Sequence, residues 1–266
     1  MTTLAVIVTN YNKSKYIEKC LDSIVRQTFQ ASEIIVVDDC STDSSREVLL
    51  NYKKKCPIIQ LVFNEKNKGV SSARNTGLQI AKSDYVTAID ADDFYFSQTK
   101  LESEMNAVLD ANKNSGQMVA SFSQTVLVDE EDKVIQRLYK KPLNLCVRFG
   151  TVTRLYKYQV PRDYCYPKSA LIAVGGYDES MNLYEDWDLN LRLLSKMKFV
   201  FSGDYGTAYR IMNTGLSSKN YKKHFEMKKK VFKKNDSFLK YSLWERVVFY
   251  SLLDLAYIKG LIKSRI

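Results

Sequence analysis

In the first ninety residues the apolar positions come in short runs: Leu4-Ala5-Val6-Ile7-Val8, Ile34-Ile35-Val36-Val37, Ile58 to Phe63 with only Gln60 polar, and Tyr85 to Ile89 with only Thr87 polar. Near-continuous runs of this length suit strands covered on both faces, as in a parallel sheet. The stretches between them carry apolar residues at helical spacing. Ser14 is placed to cap a first helix, with Ile17, Cys20, Leu21, Ile24 and Val25 on one face. Cys40-Ser41-Thr42-Asp43 supplies turn and cap chemistry before a second, with Val48, Leu49 and Tyr52 inward. A third is expected over Val70 to Lys82, after a turn at Gly69. Strand and helix alternate to about residue 93. That rhythm predicts βαβ units and a doubly wound, mostly parallel sheet flanked by helices.

The rhythm then changes. Ser97 to Lys113 read as a helix with Leu101, Met105, Val108 and Leu109 as its core face. Met118 to Val128 and Lys133 to Tyr139 form a hairpin pattern around Asp129-Glu130-Glu131-Asp132. Residues 140–165 look irregular. A short helix at Lys168 to Val174 precedes Gly175-Gly176, and Tyr184-Glu185-Asp186-Trp187-Asp188 opens another, with Trp187, Leu191 and Leu194 on a stripe. Lys198 to Ser202 read as a last strand, and the tail as largely helical and amphipathic.

Open α/β sheets place ligands outside the carboxyl ends of their strands. The strand from Asp84 ends there in Asp90-Ala91-Asp92-Asp93, three carboxylates in four residues. Acids so close repel one another, and a divalent cation with a preference for hard oxygen ligands, Mg²⁺ or Mn²⁺, relieves that repulsion. A polar loop closing a strand gives the same pattern. Asp38-Asp39, at another strand end, can bind a base or ribose hydroxyl, or serve its own turn; such pairs also occur in phospho-acceptor receiver domains. Arg74, among small helical residues, reaches phosphate oxygens or sits exposed. Glu185-Asp186 at a helix start gains from the helix dipole, and a carboxylate there can act as a general base beside an acceptor hydroxyl. Tyr209-Arg210 with Ser217-Ser218 offers further phosphate donors.

Charge adds a regional asymmetry. The chain of 266 residues carries 40 Lys+Arg and 30 Asp+Glu, for a net +10. Thirteen of those basic residues and four of the acids fall in 219–266, which carries +9 and leaves 1–218 at +1. A cationic tail points to an anionic partner. Lys228-Lys229-Lys230 and Lys233-Lys234 interleave with Phe225, Met227, Val231 and Phe232; this reads as a solvated basic helix or as an attachment to anionic lipid. Five dispersed cysteines without a C-x-x-C pair fit reduced thiols in a cytoplasm. The lone His224, in the basic tail, reads as solvated and argues against a histidine metal site or a Ser-His-Asp triad. No leader pattern or run of about 18 apolar residues is visible, so the expectation is a cytoplasmic protein, at most peripheral on the membrane.

Six short blocks in order carry a resemblance. They are Val8-Thr9-Asn10-Tyr11-Asn12, Val36 to Asp43, Asn67-Lys68-Gly69 with Ala73-Arg74-Asn75, Asp90-Ala91-Asp92-Asp93, Gly175-Gly176-Tyr177-Asp178-Glu179 and Glu185-Asp186-Trp187-Asp188. Together they resemble the family 2 inverting glycosyltransferases over roughly residues 3–215. The resemblance implies a GT-A fold: a Rossmann-like nucleotide-sugar half (1–115), an acceptor half (116–218), and outside it the basic helical segment 219–266. It implies that Thr9 and Tyr11 line the nucleotide pocket, with Tyr11 against the base. Asp39 would contact uracil, with Asp38 beside it, and Arg74 and Arg210 would approach the diphosphate. Asp92 would hold Mn²⁺ or Mg²⁺, Asp90 the ribose or the metal shell, and Asp186 would be the base, with Glu185 next to it.

The implied activity is transfer of one sugar from a nucleoside-diphosphate sugar, most simply a UDP-sugar, to a glycan or lipid-linked hydroxyl. Two departures from the family pattern bear on this. No histidine follows the Tyr-Arg pair, where the chain reads Arg210-Ile211-Met212-Asn213-Thr214, and no Gln-x-x-Arg-Trp motif of processive synthases is present. Single-sugar addition is therefore expected. A nucleotide-sugar-binding module without turnover is the alternative, and no nucleic-acid module is recognised.

Overall fold

A computed structural model describes residues 2–115, 118–138, 164–181, 183–194, 196–212, 221–235, 247 and 251. The expected irregular stretch 140–165 falls outside these residues up to 163, as do Cys146, Ser217, Ser218 and most of the tail beyond 235.

The first half alternates as its pattern requires: β1 (Leu4–Asn10), α1 (Ile17–Val25), β2 (Glu33–Asp38), α2 (Ser45–Lys55), β3 (Ile59–Phe63), α3 (Val70–Ile80) and β4 (Tyr85–Asp90). The four strands pair in parallel in the order β3-β2-β1-β4. β1 lies between two partners and is buried along its whole length. Its alternate side chains feed two cores, as the two-residue repeat of a strand demands. Ala5 and Ile7 join Ala73 and Leu78 of α3 on one face; Leu4, Val6 and Val8 join Ile17, Leu21 and Ile24 of α1 on the other. Gly77 lets α3 approach closely, since a Cβ there would lie 2.5 Å from Ile7 Cγ2. Ser14 does not cap α1. The helix starts at Ile17 behind Tyr16, and the Ser14 amide instead donates to Asp43.

The second half is β5 (Phe94–Tyr95), α4 (Lys100–Ser115), β6 (Val119–Val128), β7 (Val134–Arg137), β8 (Tyr164–Pro167), α5 (Lys168–Ala173), α6 (Glu185–Leu194), β9 (Lys198–Arg210) and α7 (Tyr221–Lys234). β8 joins antiparallel to both β4 and β6, continuing the sheet as β4-β8-β6-β9-β5 with β7 beside β6. The expected hairpin is present, with Val126 opposite Arg137.

Three expectations are corrected in this half. Tyr164 and Cys165 are strand, not irregular. The last strand runs on past Ser202 to Arg210, because β6 accompanies it in parallel from Val119 to Val128 through two register shifts. Phe94-Tyr95, which no pattern marks, is a short strand on the far edge of β9. Lys100 and Glu104, four apart on α4, form an ion pair at 2.8 Å whose full burial the sequence pattern does not signal, and Ser123 donates to Glu104 at 2.6 Å. Cys20, Cys40, Cys56 and Cys165 are free thiols, and burial pushes the Cys165 thiol up. No described helix is long and apolar enough to cross a membrane.

The described part of the tail is not a fully solvated helix. Val231 and Phe232 of α7 are buried in the same core as Trp187 of α6, and the Trp187 and Phe232 rings meet edge to face at 6.0 Å. Lys222, Lys223, Lys230 and Lys233 are exposed.

Candidate active site

Strand register gathers the first group of site residues. Asn10 lies opposite Asp38, and Thr9 opposite Asp90, so the ends of β1, β2 and β4 meet at one edge of the sheet. The Thr9 hydroxyl donates to Asp90 Oδ1 at 2.7 Å. Tyr11, just past the edge, is exposed at 44% and presents a ring to solvent.

The two acids after β2 have separate partners. Asp38 accepts from the Asn10 side-chain amide, and from the Ser41 amide and hydroxyl at 2.9 and 2.6 Å. Asp39 accepts from the Asn64 side chain at 2.8 Å, from the Lys68 amide and from the Gly69 amide at 2.7 Å. Gly69 has φ +88°, a conformation that frees its N–H for this bond at little cost. Both carboxylates are buried. Asp38 ties its own loop, and Asp39 ties residues 64–69 to the end of β2.

Asp90, Asp92 and Asp93 each offer a carboxylate oxygen, all within 4.8 Å of one another. Lys13 Nζ sits 2.8 Å from Asp92 Oδ2. The Arg210 amide donates to Asp93 Oδ1 at 2.8 Å, fixing the buried Asp93 to β9. The donor set is all hard oxygen, which fits Mg²⁺ or Mn²⁺ and not a soft metal. Half-buried Asp90 and Asp92 are the members positioned to hold such an ion.

Arg74 connects this cluster to the second acidic group. It is buried; its Nη2 lies 2.8 Å from Asp90 Oδ1, its Nη1 2.7 Å from Glu185 Oε1, and its guanidinium 5.3 Å from the Tyr177 ring. One guanidinium thus bridges the end of β4 and the start of α6. Carboxylates withdrawn from water need such a partner, since an uncompensated buried charge is costly. The neighbouring Asn75 holds the glycine loop: it donates to the Tyr177 carbonyl at 2.9 Å and accepts from the Tyr177 amide at 2.8 Å.

The acids of α6 take three different roles. Glu185 is buried against Arg74. Asp186 is half-buried, and its Oδ1 accepts from the Trp187 amide at 2.8 Å within the first turn. Asp188 is wholly buried and serves structure: Arg192 lies 2.8 Å away, Lys234 of α7 at 2.7 Å and Asn235 at 2.9 Å. Lys234 also pairs with Asp178 at 2.6 Å. Burial alone would raise the Asp178 carboxyl, but the bonds from Lys234 and Ser180 outweigh it and hold it down at about 2.

Arg210, expected at the diphosphate, has its side chain buried and held by protein groups. It donates to the Asp92 carbonyl at 2.8 Å and the Asp129 carbonyl at 3.0 Å, pairs with Asp132, and lies 4.4 Å over the Tyr16 ring. Asp132 reaches it from a left-handed turn position, φ +71°, and also pairs with Lys19. Burial opposes ionisation of Asp132, but these two cations win and lower its carboxyl. His224 is corrected: it is half-buried, with Nδ1 2.9 Å from the Tyr184 hydroxyl.

Sequence reasoning missed Lys13 and the Tyr184–His224 pair. Lys13 stands in the loop after β1, beside Tyr11 and Asn12, so its place is readable from the strand end. The Tyr184 contact joins residues 40 positions apart and has no local signal.

The family model described as "Glycosyl transferase family 2" matches residues 5–160 of this chain. A Haemophilus influenzae protein named "Uncharacterized glycosyltransferase" is 38% identical over 109 residues, 41% of this chain and 43% of that protein. Chondroitin synthase of Escherichia coli is 24% identical over 229 residues, 84% of this chain and 32% of that protein. The chain therefore spans less than half the length of either relative. Among solved structures, S. aureus TarS 1–349 in complex with UDP-GlcNAc superposes with a TM-score of 0.67 at 20% identity, over 90% of this chain and 70% of that one.

Proposed function

The chain belongs to glycosyl transferase family 2, and from that premise we propose that it is a metal-dependent inverting glycosyltransferase. It moves one sugar from a nucleoside-diphosphate sugar, a UDP-sugar first, to a hydroxyl of a glycan or lipid-linked acceptor. The observation that carries the reading is the Arg74 bridge, 2.8 Å from Asp90 and 2.7 Å from Glu185. It joins the strand-end acids, suited to a cation and diphosphate, to the helix start that bears a base. A fold shared with TarS, solved with UDP-GlcNAc bound, supports the donor class.

In this reading Thr9 and Tyr11 line the nucleotide pocket, with the exposed Tyr11 ring against the base. Asp39 contacts the uracil base, with Asp38 beside it, and each carboxylate also ties down its own loop. Asp92 and Asp90 hold Mn²⁺ or Mg²⁺, which when bound supplies Lewis-acid neutralisation of charge on the departing diphosphate. Arg74 fixes the distance between the donor side and α6. Asp186 takes the proton from the acceptor hydroxyl, whose oxygen attacks the anomeric carbon from the face opposite the diphosphate, inverting configuration. Alignment of the two substrates supplies much of the rate. The exposed lysines of α7 lie against an anionic membrane surface, so the enzyme sits peripherally on its cytoplasmic face.

The test is release of free nucleoside diphosphate across a panel of sugar nucleotides, with and without Mn²⁺. Cation-dependent release with at least one donor is expected, and Asp92→Ala weakens Mn²⁺-dependent UDP binding. Full release in chelator, or an Asp92→Ala variant that binds UDP and Mn²⁺ as the wild type does, overturns the metal assignment. For the tail, pelleting with phosphatidylserine vesicles falls when 236–266 is kept but Lys222, Lys223, Lys230 and Lys233 are changed to Gln; equal pelleting rules out attachment through α7.

A further inference from the structure

Tyr184, the residue directly before Glu185 and Asp186, has φ +63°. For a bulky aromatic residue this left-handed conformation is a steric outlier, held only where surroundings over-determine it, and such outliers concentrate at functional sites. What holds it comes from α7. The Tyr184 hydroxyl meets His224 Nδ1 at 2.9 Å, the two rings stand edge to face at 5.7 Å, and Lys228 Nζ lies 5.4 Å from the Tyr184 ring. Lys228 is drawn in far enough that burial lowers its ammonium below the ordinary lysine value. On the other side the Tyr184 ring packs edge-on to Trp187 at 5.2 Å. The Tyr184 carbonyl accepts from the Asp188 amide at 3.0 Å, so the strained residue itself begins the helix.

We propose that Tyr184 and His224 are positioning residues for the base: α7 holds Tyr184 in its left-handed conformation, and that conformation sets where α6 begins and so where Asp186 stands. The proposal rests on the reading of Asp186 given above and adds to it a part for the basic segment inside the catalytic apparatus. α7 is well placed for this, because Lys234 and Asn235 grip Asp188 one turn further along the same helix. Without the hydroxyl bond the left-handed backbone loses a restraint, and α6 can start with Asp186 displaced. A displacement of an ångström at a reacting group costs on the order of a hundredfold in rate.

The experiment uses the full chain, the UDP-sugar turned over fastest in the donor panel, and UDP binding by calorimetry. Tyr184→Phe and His224→Leu are expected to lower kcat roughly ten- to a hundredfold, leaving the donor KM and UDP affinity within about twofold of wild type. His224→Asn, which can keep a polar atom near the Tyr184 hydroxyl, restores a substantial part of kcat. Tyr184→Gly accepts the positive φ without strain but cannot be held, and loses kcat as well. Wild-type kcat in Tyr184→Phe and His224→Leu overturns the assignment, as does full activity in Tyr184→Gly. A fall of UDP affinity in step with kcat also overturns it, since that marks general loosening of the fold. A wild-type chain that turns over no donor refutes the Asp186 reading and this assignment together; an active wild type with equally active variants refutes this assignment alone.

Discussion

The two acidic groups of the site are built in opposite ways. The acids Asp90 to Asp93 end a central strand, and the sheet's own register places them: Thr9 faces Asp90 across a parallel ladder, and the Ala91 amide donates to the Thr9 carbonyl at 2.9 Å. The acids Glu185 to Asp188 open a helix whose start is fixed by groups distant in the chain, among them Arg74, His224 and Lys234. A strand end inherits its place from the fold core, whereas this helix start depends on salt bridges and one strained backbone position. Disruption should therefore act unequally on the two.

The largest effect on that contrast is expected from Arg74→Met. It strips the shared partner from Asp90 and Glu185 and leaves buried charge uncompensated, at about 3–5 kcal/mol. The thermal midpoint should fall by roughly 10 °C, and Arg74→Lys, unable to reach both acids with one planar fork, should recover only part. A smaller effect, about 2 kcal/mol, is expected from Gly176→Ala. The backbone there has φ +69°, and a Cβ would lie 2.5 Å from Asn75 Oδ1, itself pinned by Tyr177. Chemical denaturation measures this cost, and a neutral result would mean that the loop is not held by Asn75.

The first acidic group was legible because its signals are local. Apolar runs of Leu4 to Val8 and Tyr85 to Ile89 mark buried strands, and acids directly after such runs have to lie at the sheet edge. The helices α1, α2 and α4 are likewise readable from one-sided periodicity. The second half is harder for physical reasons. Phe94-Tyr95 is strand only because β9 pairs with it. The continuation of β9 beyond Ser202 is masked because Ser202-Gly203-Asp204 interrupts the apolar pattern, although the strand itself runs on without a break to Arg210. Arg210 reads as a phosphate donor because an arginine near a strand end can reach a ligand there. Its burial against the carbonyls of Asp92 and Asp129 depends on the β6–β7 turn, 81 residues away in the chain. His224 reads as solvated because nothing local in a lysine-rich helix marks which side chain turns inward.

Two milder changes sharpen the comparison. Asp178→Asn removes one of the ties between α7 and the glycine loop, at about 1–2 kcal/mol at neutral pH. The Asp178 carboxyl is held at about 2, below its ordinary 3.8, so between those values the folded state binds fewer protons than the unfolded one. The stabilisation is therefore complete above about pH 4 and disappears as pH falls through about 2. Denaturation of wild type and Asp178→Asn across that range should show the two curves converging at the acid end, and a constant gap would contradict the pairing. The smallest effect is expected from Lys13→Met. Removing an ammonium 2.8 Å from Asp92 leaves that carboxylate with less competition for a cation. Mn²⁺ binding, followed by electron paramagnetic resonance, should tighten by about threefold; weaker binding would mean that Lys13 orients Asp92 and does not compete for it.

The account's central claim is that acids from the end of β4 and the start of α6 form one site with divided labour. The most direct measurement is UDP affinity and sugar turnover on one preparation of Asp186→Asn. The account predicts UDP affinity within about twofold of wild type and turnover reduced at least about a hundredfold. Normal turnover, or affinity and turnover lost together, would contradict it.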